Sequence, residues 1–214
     1  GVYSIRNDTK VIADSAFLGC SGLTSIEIPD SVTSIGDYAF TRCSSLTSIE
    51  IPDSVTSIGY YAFKGCSGLT SITIPDSVTS IGADAFYDTA YYDDESNWEN
   101  DVLYIGNHLI EARDTLSGVY SIRNDTKVIA DSAFFCSGLT SIEIPDSVTS
   151  IGNWAFRYCS GLTSVKFANP KGWWYTSSSL ATRGPSISSS SLSDPSTAAV
   201  YLTSTYSNYY WKRG

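Results

Sequence analysis

The sequence predicts a solenoid, a chain wound into stacked coils of one repeated unit, and three observations predict it. Residues recur at a fixed spacing of 23: Phe17, Phe40, Phe63 and Phe86, then Cys20, Cys43 and Cys66, Leu23, Leu46 and Leu69, Ile35, Ile58 and Ile81, and Gly36, Gly59 and Gly82. A longer block also repeats. GVYSIRNDTKVIADSAF stands at 1–17 and again, letter for letter, at 118–134, and CSGLTSIEIPDSVTSIG stands at 20–36 and 136–152. Finally, each unit holds a short row of apolar residues that it cannot bury alone, so neighbouring coils must cover one another. A length of 214 residues would otherwise suggest one or two domains, but a solenoid grows by adding coils.

Within one unit, Leu46, Ile49 and Ile51 have the LxxLxL spacing of a short strand whose apolar side chains point one way. Ile-Pro-Asp-Ser then reads as a turn, because Pro cannot continue a central ladder and Asp and Ser bond to their own backbone. Val55 and Ile58 begin a short return segment, Gly59 relaxes the backbone, and Ala62, Phe63 and Cys66 close the coil. Stacked coils place equivalent residues in ladders about 5 Å apart. Coils of this kind are expected over residues 1–86 and 118–167. The offset between the two blocks falls from 117 to 116 because one residue is missing between Phe134 and Cys136.

Two segments break the period. Residues 87–117 are expected to form one degenerate coil with an inserted loop, YYDDESNWEND, and a hairpin in which VLYI and HLIEA flank a Gly106-Asn107 turn. Residues 168–214 are expected to cap the last coil. Trp173, Trp174 and Tyr175 lead into a Ser-rich stretch, and Asp194-Pro195 then supplies an N-cap and a first-turn proline. Ala198, Tyr201, Leu202, Thr205, Tyr206, Tyr209 and Tyr210 follow at helical spacing, with Lys212-Arg213 placed to suit a helix C-terminus.

The string IPDSVTSIGDYAFxxCSSLTSI resembles the BspA-like leucine-rich-repeat family of bacterial and protist surface proteins, over roughly residues 1–86 and 118–167. The resemblance implies a leucine-rich-repeat solenoid: a β-rich, right-handed superhelix with a parallel sheet on its concave side, short return segments and a cap containing a helix. It also implies a secreted or cell-surface protein linked to adhesion. It supplies no catalytic residues, no cofactor and no particular ligand.

Composition narrows the partners. Twenty-two acidic residues stand against 13 basic ones, a net charge of −9, which argues against nucleic acid and anionic membranes. No apolar run reaches the length of a membrane span, and no signal peptide is present. Gly1 opens the chain mid-unit, so a longer parent with further copies is expected.

The candidate chemistry is sparse. Cys20, Cys43 and Cys66, and likewise Cys136 and Cys159, are read as stacked at one repeat position. Parallel side chains there would hold beta carbons farther apart than a disulfide prefers, so free buried thiols are expected, with a disulfide or metal role as the alternative. His108 is expected to be an exposed hairpin residue, with no oriented nucleophile beside it. Asp30, Asp53, Asp76 and Asp146 recur in the turn, where local hydrogen bonding competes with a calcium reading. Asp93, Asp94 and Glu95 read as a solvated loop or a cation site.

Two sets of residues could recognise a partner. Glu27, Glu50 and Glu143 form a partial acidic row on the strand face, with Thr73 and Lys166 at the same position and a row of serines beside them. Tyr91, Tyr92, Trp98, Trp173 and Trp174 could stack on sugars or anchor a protein, or else pack the irregular ends. The expected function is a non-catalytic, adhesin-like module binding an extracellular protein or glycan. A structural spacer is the alternative, since the coils hardly differ along the strand face. Ice binding through the Ser and Thr ladders conflicts with the Glu row.

Overall fold

The computed structural model describes all 214 residues. They form two compact units: Gly1–Glu99 with Leu103–Gly106, and Asn100–Val102 with Asn107–Gly214.

In the first unit each coil contributes two short parallel strands. The LxxLxL segments give Val2–Ser4, Ser25–Glu27, Ser48–Glu50 and Ser71–Thr73. Val2–Ser4 pairs with Ser25–Glu27, and Ser48–Glu50 with Ser71–Thr73, each residue meeting its counterpart one period on. The return segment is itself a strand. Val11–Ile12, Ser34–Ile35, Ser57–Ile58 and Ser80–Ile81 form a continuous parallel sheet in that order. Leu46, Ile49, Ile51, Val55 and Ile58 all point inward and are buried.

The third side of each coil is the turn around Ala-Phe. There Phe40 N–H donates to Ala62 O and Phe63 N–H to Ala85 O, both at 2.7 Å, so the backbone is stitched from coil to coil without forming a strand. The phenylalanines stack face to face at 5.1 Å for Phe17–Phe40 and Phe40–Phe63, and at 5.4 Å for Phe63–Phe86. Two residues before each Phe the backbone is left-handed: φ is 59° at Tyr38, 56° at Tyr61 and 54° at Asp84. Gly59 is not among the left-handed residues, which corrects the expectation that it relaxes the backbone. It is glycine for space, because a beta carbon would stand 2.6 Å from both the Asp37 N and the Gly36 C of the coil before.

The inserted segment has more structure than a loop. Thr89 caps one helical turn, Ala90–Asp93, by accepting from Tyr92 N–H, and a tighter turn, Glu95–Asn97, follows. The two strands expected around Gly106-Asn107 form, at Val102–Ile105 and His108–Ala112.

The second unit repeats the pattern with one residue fewer. Ser117–Ser121, Gly138–Ile144 and Ser164–Phe167 form one parallel sheet, and His108–Ala112, Val128–Ile129 and Ser150–Ile151 another. Val119 pairs with Ser141, whereas Ser141 pairs with Ser164, so the missing residue is absorbed before Gly138 and the normal period resumes after it.

The C-terminal helix is shorter than its spacing predicts. Asp194 caps it through Ser196 and Thr197 N–H, with Pro195 at the first position, and it ends at Val200. Tyr201–Thr205 widen into one π-type turn, and Tyr210–Arg213 is a strand rather than a helix end. The run Thr203, Ser204, Thr205, Ser207 and Asn208 is poor in helix formers, and Thr203 and Ser207 hydroxyls donate back to Ala199 and Ser204 carbonyls. Tyr210–Arg213 instead pairs antiparallel with Ser150–Ile151 on one side and Trp173–Thr176 on the other, covering a sheet edge that would otherwise be open. Trp211 and Lys212 are buried beneath it.

Candidate functional site

The expected acidic row divides between the units. In the first, Glu27 and Glu50 are exposed and share a groove of about 910 Å³ with Asp30, Asp53 and Thr73. In the second, the same positions are neutralised within the chain: Lys166 Nζ lies 2.8 Å from Glu143, and Arg213 Nη1 lies 2.8 Å from Asp146. Hydrogen bonding from Asn169 and Arg213 holds the Asp146 carboxyl below its ordinary range. In the Ile-Pro-Asp-Ser turns of the first unit the serine makes an inter-coil bond: Ser54 donates to Val32 O at 2.6 Å and Ser77 to Val55 O at 2.9 Å. No three His, Cys, Asp or Glu side chains converge to hold a metal ion. Asp94, in the inserted segment, instead accepts from Ser96 N–H and Oγ, which lowers its pKa.

The cysteines do not share one environment. Cys43, Cys66 and Cys159 are buried free thiols, each donating to a phenylalanine carbonyl one coil back, at 3.2, 3.0 and 2.9 Å. Contact with Cys43, then burial, pushes Cys66 up, and burial pushes Cys159 up, so both stay protonated. Cys20 and Cys136 are exposed, which corrects the expectation for both. At Cys136 the reason is the missing residue. Ser137 takes the inward position, 3.4 Å from Cys159 Sγ, and Cys136 shifts to the left-handed outer position with φ 62°. His108 is likewise corrected: it is fully buried, in register with Val128 on the inner strand, rather than exposed at a hairpin.

The predicted aromatics also separate. Trp173 is 1% exposed, packed against Phe167 and Trp211, and bonded through Nε1 to Asn169 O, so it belongs to the core and not to a surface. Trp174 is half-buried. Tyr91, Tyr92 and Trp98 are half-buried and held firmly: Tyr91 OH donates to Tyr104 O, and Trp98 Nε1 donates to Tyr92 O at 2.7 Å.

Tyr92 and Trp98 end a longer row that sequence reasoning missed. Tyr38 stacks on Tyr61 at 5.2 Å, and Lys64 Nζ lies over both Tyr61 and Tyr87, at 4.8 and 4.9 Å. Tyr87 meets Tyr92 edge-on at 5.1 Å, and Tyr92 meets Trp98 the same way. Tyr38 and Tyr87 are exposed, and the neighbouring Asp84 carboxylate raises the Tyr61 pKa. The row runs along the flank made by the Ala-Phe turns. A smaller group occupies the same flank of the second unit, where Arg157 lies over Trp154 and Tyr158, and Phe135 meets Tyr158 edge-on.

A signal for this flank was available. The coils are nearly invariant along both strands, yet the two residues on either side of Ala-Phe differ among three of them: Asp37-Tyr38 and Thr41-Arg42, Tyr60-Tyr61 and Lys64-Gly65, Asn153-Trp154 and Arg157-Tyr158. Aromatic and cationic residues concentrate at those positions.

The chain matches the model of the BspA type leucine rich repeat region, in six copies, over residues 3–117 and 94–172. It belongs to this family. Solved structures similar to it include a leucine-rich repeat protein from Bacteroides ovatus, 26% identical, with 78% of this chain and 37% of that one covered and a TM-score of 0.46. A leucine-rich cell surface protein from Faecalibacterium prausnitzii is 34% identical over 74% of this chain and 51% of its own, with a TM-score of 0.40. The leucine-rich repeat protein of T. pallidum is 27% identical over 77% of this chain and 68% of its own, with a TM-score of 0.44. The chain thus spans roughly a third to a half of the first two. No protein of curated function matches it significantly. No helix is long and apolar enough to cross a membrane.

Proposed function

We propose that this BspA-type repeat protein is a non-catalytic binding module displayed outside the cell, recognising an extracellular protein or glycan through the flank of its coils. The observation that carries this is where the variation lies. Recognition surfaces vary from repeat to repeat and draw on Tyr, Trp and Arg anchors, and the residues beside Ala-Phe do both. The strand face, built from recurring Ser, Thr and Glu, does neither. Left-handed backbone disfavours bulky side chains, so Tyr38, Tyr61 and Trp154 occupy positions where folding alone favours Gly or Asn. A purely structural spacer gives no reason for large aromatics there. The sole histidine lies buried in a strand, which also supports a binding role over a catalytic one.

The test is an array of extracellular proteins and glycans probed with the whole chain and with a Tyr61→Asn, Tyr87→Asn double variant. Binding by the wild type and loss in the variant are expected. A blank array for the wild type would favour the spacer.

A further inference from the structure

Resting on that reading, we propose that the flank of the first unit docks a basic protein segment, with an arginine or lysine side chain stacked on the open face of Tyr38.

The chain supplies its own precedent for this contact. Where a cation immediately follows the Phe of a coil, it lies over the rings beside it: Lys64 over Tyr61 and Tyr87, Arg157 over Trp154 and Tyr158, all within 5 Å. This is the geometry in which a ring quadrupole attracts a cation. In the coil of Tyr38 the corresponding residue is Thr41, buried and donating to Tyr61 O at 2.5 Å, and the cation one residue further on, Arg42, has its Cγ against Gly65 of the next coil. Tyr38 is 43% exposed. One of its faces stacks on Tyr61. The other looks toward the preceding coil, whose residues at the matching positions are Ser15 and the exposed Leu18 rather than an aromatic or a cation.

Charge identifies the occupant. The first unit carries 14 carboxylates against 4 cations. Asp14, Asp37, Asp84 and Asp88 occupy turn positions on this flank, directly beside the Phe ladder. A cation desolvated against Tyr38 would therefore enter a negative field. An apolar glycan face would gain nothing from that field, and an acidic partner would be repelled by it. Arginine is favoured over lysine, because its planar and weakly hydrated guanidinium stacks on a ring.

The test uses the full chain and a fluorescein-labelled peptide of alternating arginine and glycine, followed by fluorescence anisotropy, with lysine–glycine and glutamate–glycine peptides as comparisons. Binding in the order arginine, lysine, glutamate is expected. Tyr38→Asn, which suits the left-handed backbone and should leave the thermal midpoint unchanged, is expected to weaken the arginine peptide about tenfold. Glu27→Gln with Glu50→Gln, in the groove on the strand face, should change it less than twofold. Equal loss from the groove and the flank variants would mean diffuse attraction and overturn the proposal, as would a wild type that ignores the arginine peptide. Glycan hits on the array that disappear with Tyr38→Asn would keep the binding reading and remove the basic segment.

Discussion

The two units are built from the same repeat, but the first is strongly acidic and the second nearly neutral. The first carries 14 carboxylates and 4 cations, the second 8 carboxylates and 9 cations. In the second, Lys166, Arg213 and Arg157 are spent inside the chain, on Glu143, on Asp146 and on Trp154. In the first, Glu27, Glu50 and Tyr38 face outward at matching positions without those partners. Backbone stitching is conserved between them, and side-chain pairing is not. The repeat therefore fixes the scaffold, while the few substitutions beside Ala-Phe and along the strand face decide what each unit offers to solvent.

The largest expected difference between the units lies in their cores. Phe63 is sandwiched between Phe40 and Phe86, whereas Phe156 stacks on one phenylalanine, at 4.9 Å. Phe63→Ala is expected to destabilise the first unit by about 4 kcal/mol, and Phe156→Ala the second by about 3 kcal/mol, read by chemical denaturation. Equal values would mean that the ladder contributes no more than ordinary burial.

A smaller effect separates the units by pH. Burial lowers the Lys212 pKa to about 8 from 10.5, with Asp131 working in the opposite direction. Between those values the unfolded chain holds a proton that the folded chain has released, so stability rises as pH is raised through that window. From pH 8 to 10 the gain should be about 2 kcal/mol, confined to residues 107–214 in hydrogen exchange, and flattened by Lys212→Met. No rise, or an equal rise in residues 1–99, would refute the assignment.

The smallest effect concerns one turn position. Gly65 and Cys136 occupy equivalent left-handed sites, with φ 70° and 62°. Cys136→Gly is expected to stabilise by about 0.5 kcal/mol and Gly65→Ala to destabilise by about 1 kcal/mol. Alkylation of the native protein should label Cys20 and Cys136 and leave Cys43, Cys66 and Cys159 untouched until unfolding.

The period made the scaffold legible, because stacking forces every apolar residue at a fixed offset into one ladder. What the period could not show was the effect of losing one residue. The repeat position puts Cys136 with the other thiols, but the backbone keeps its turn geometry and moves Ser137 inward instead. The helix end failed for a related reason. Spacing from Ala198 to Tyr210 fits a helix, yet the open edge at Ser150–Ile151 offers backbone hydrogen bonds that a solvated helix end does not. The flank is hidden in the sequence because aromatic density is highest elsewhere, in the inserted and terminal segments. A single tyrosine per coil looks unremarkable until stacking brings Tyr38, Tyr61 and Tyr87 into one row.

The most direct test of recognition by the flank is hydrogen–deuterium exchange of the chain with its strongest array partner bound. Protection is predicted over residues 37–42, 60–65 and 87–98, with the strand segments 25–27, 48–50 and 71–73 unchanged. Protection confined to those strand segments would place the partner in the acidic groove and contradict the account.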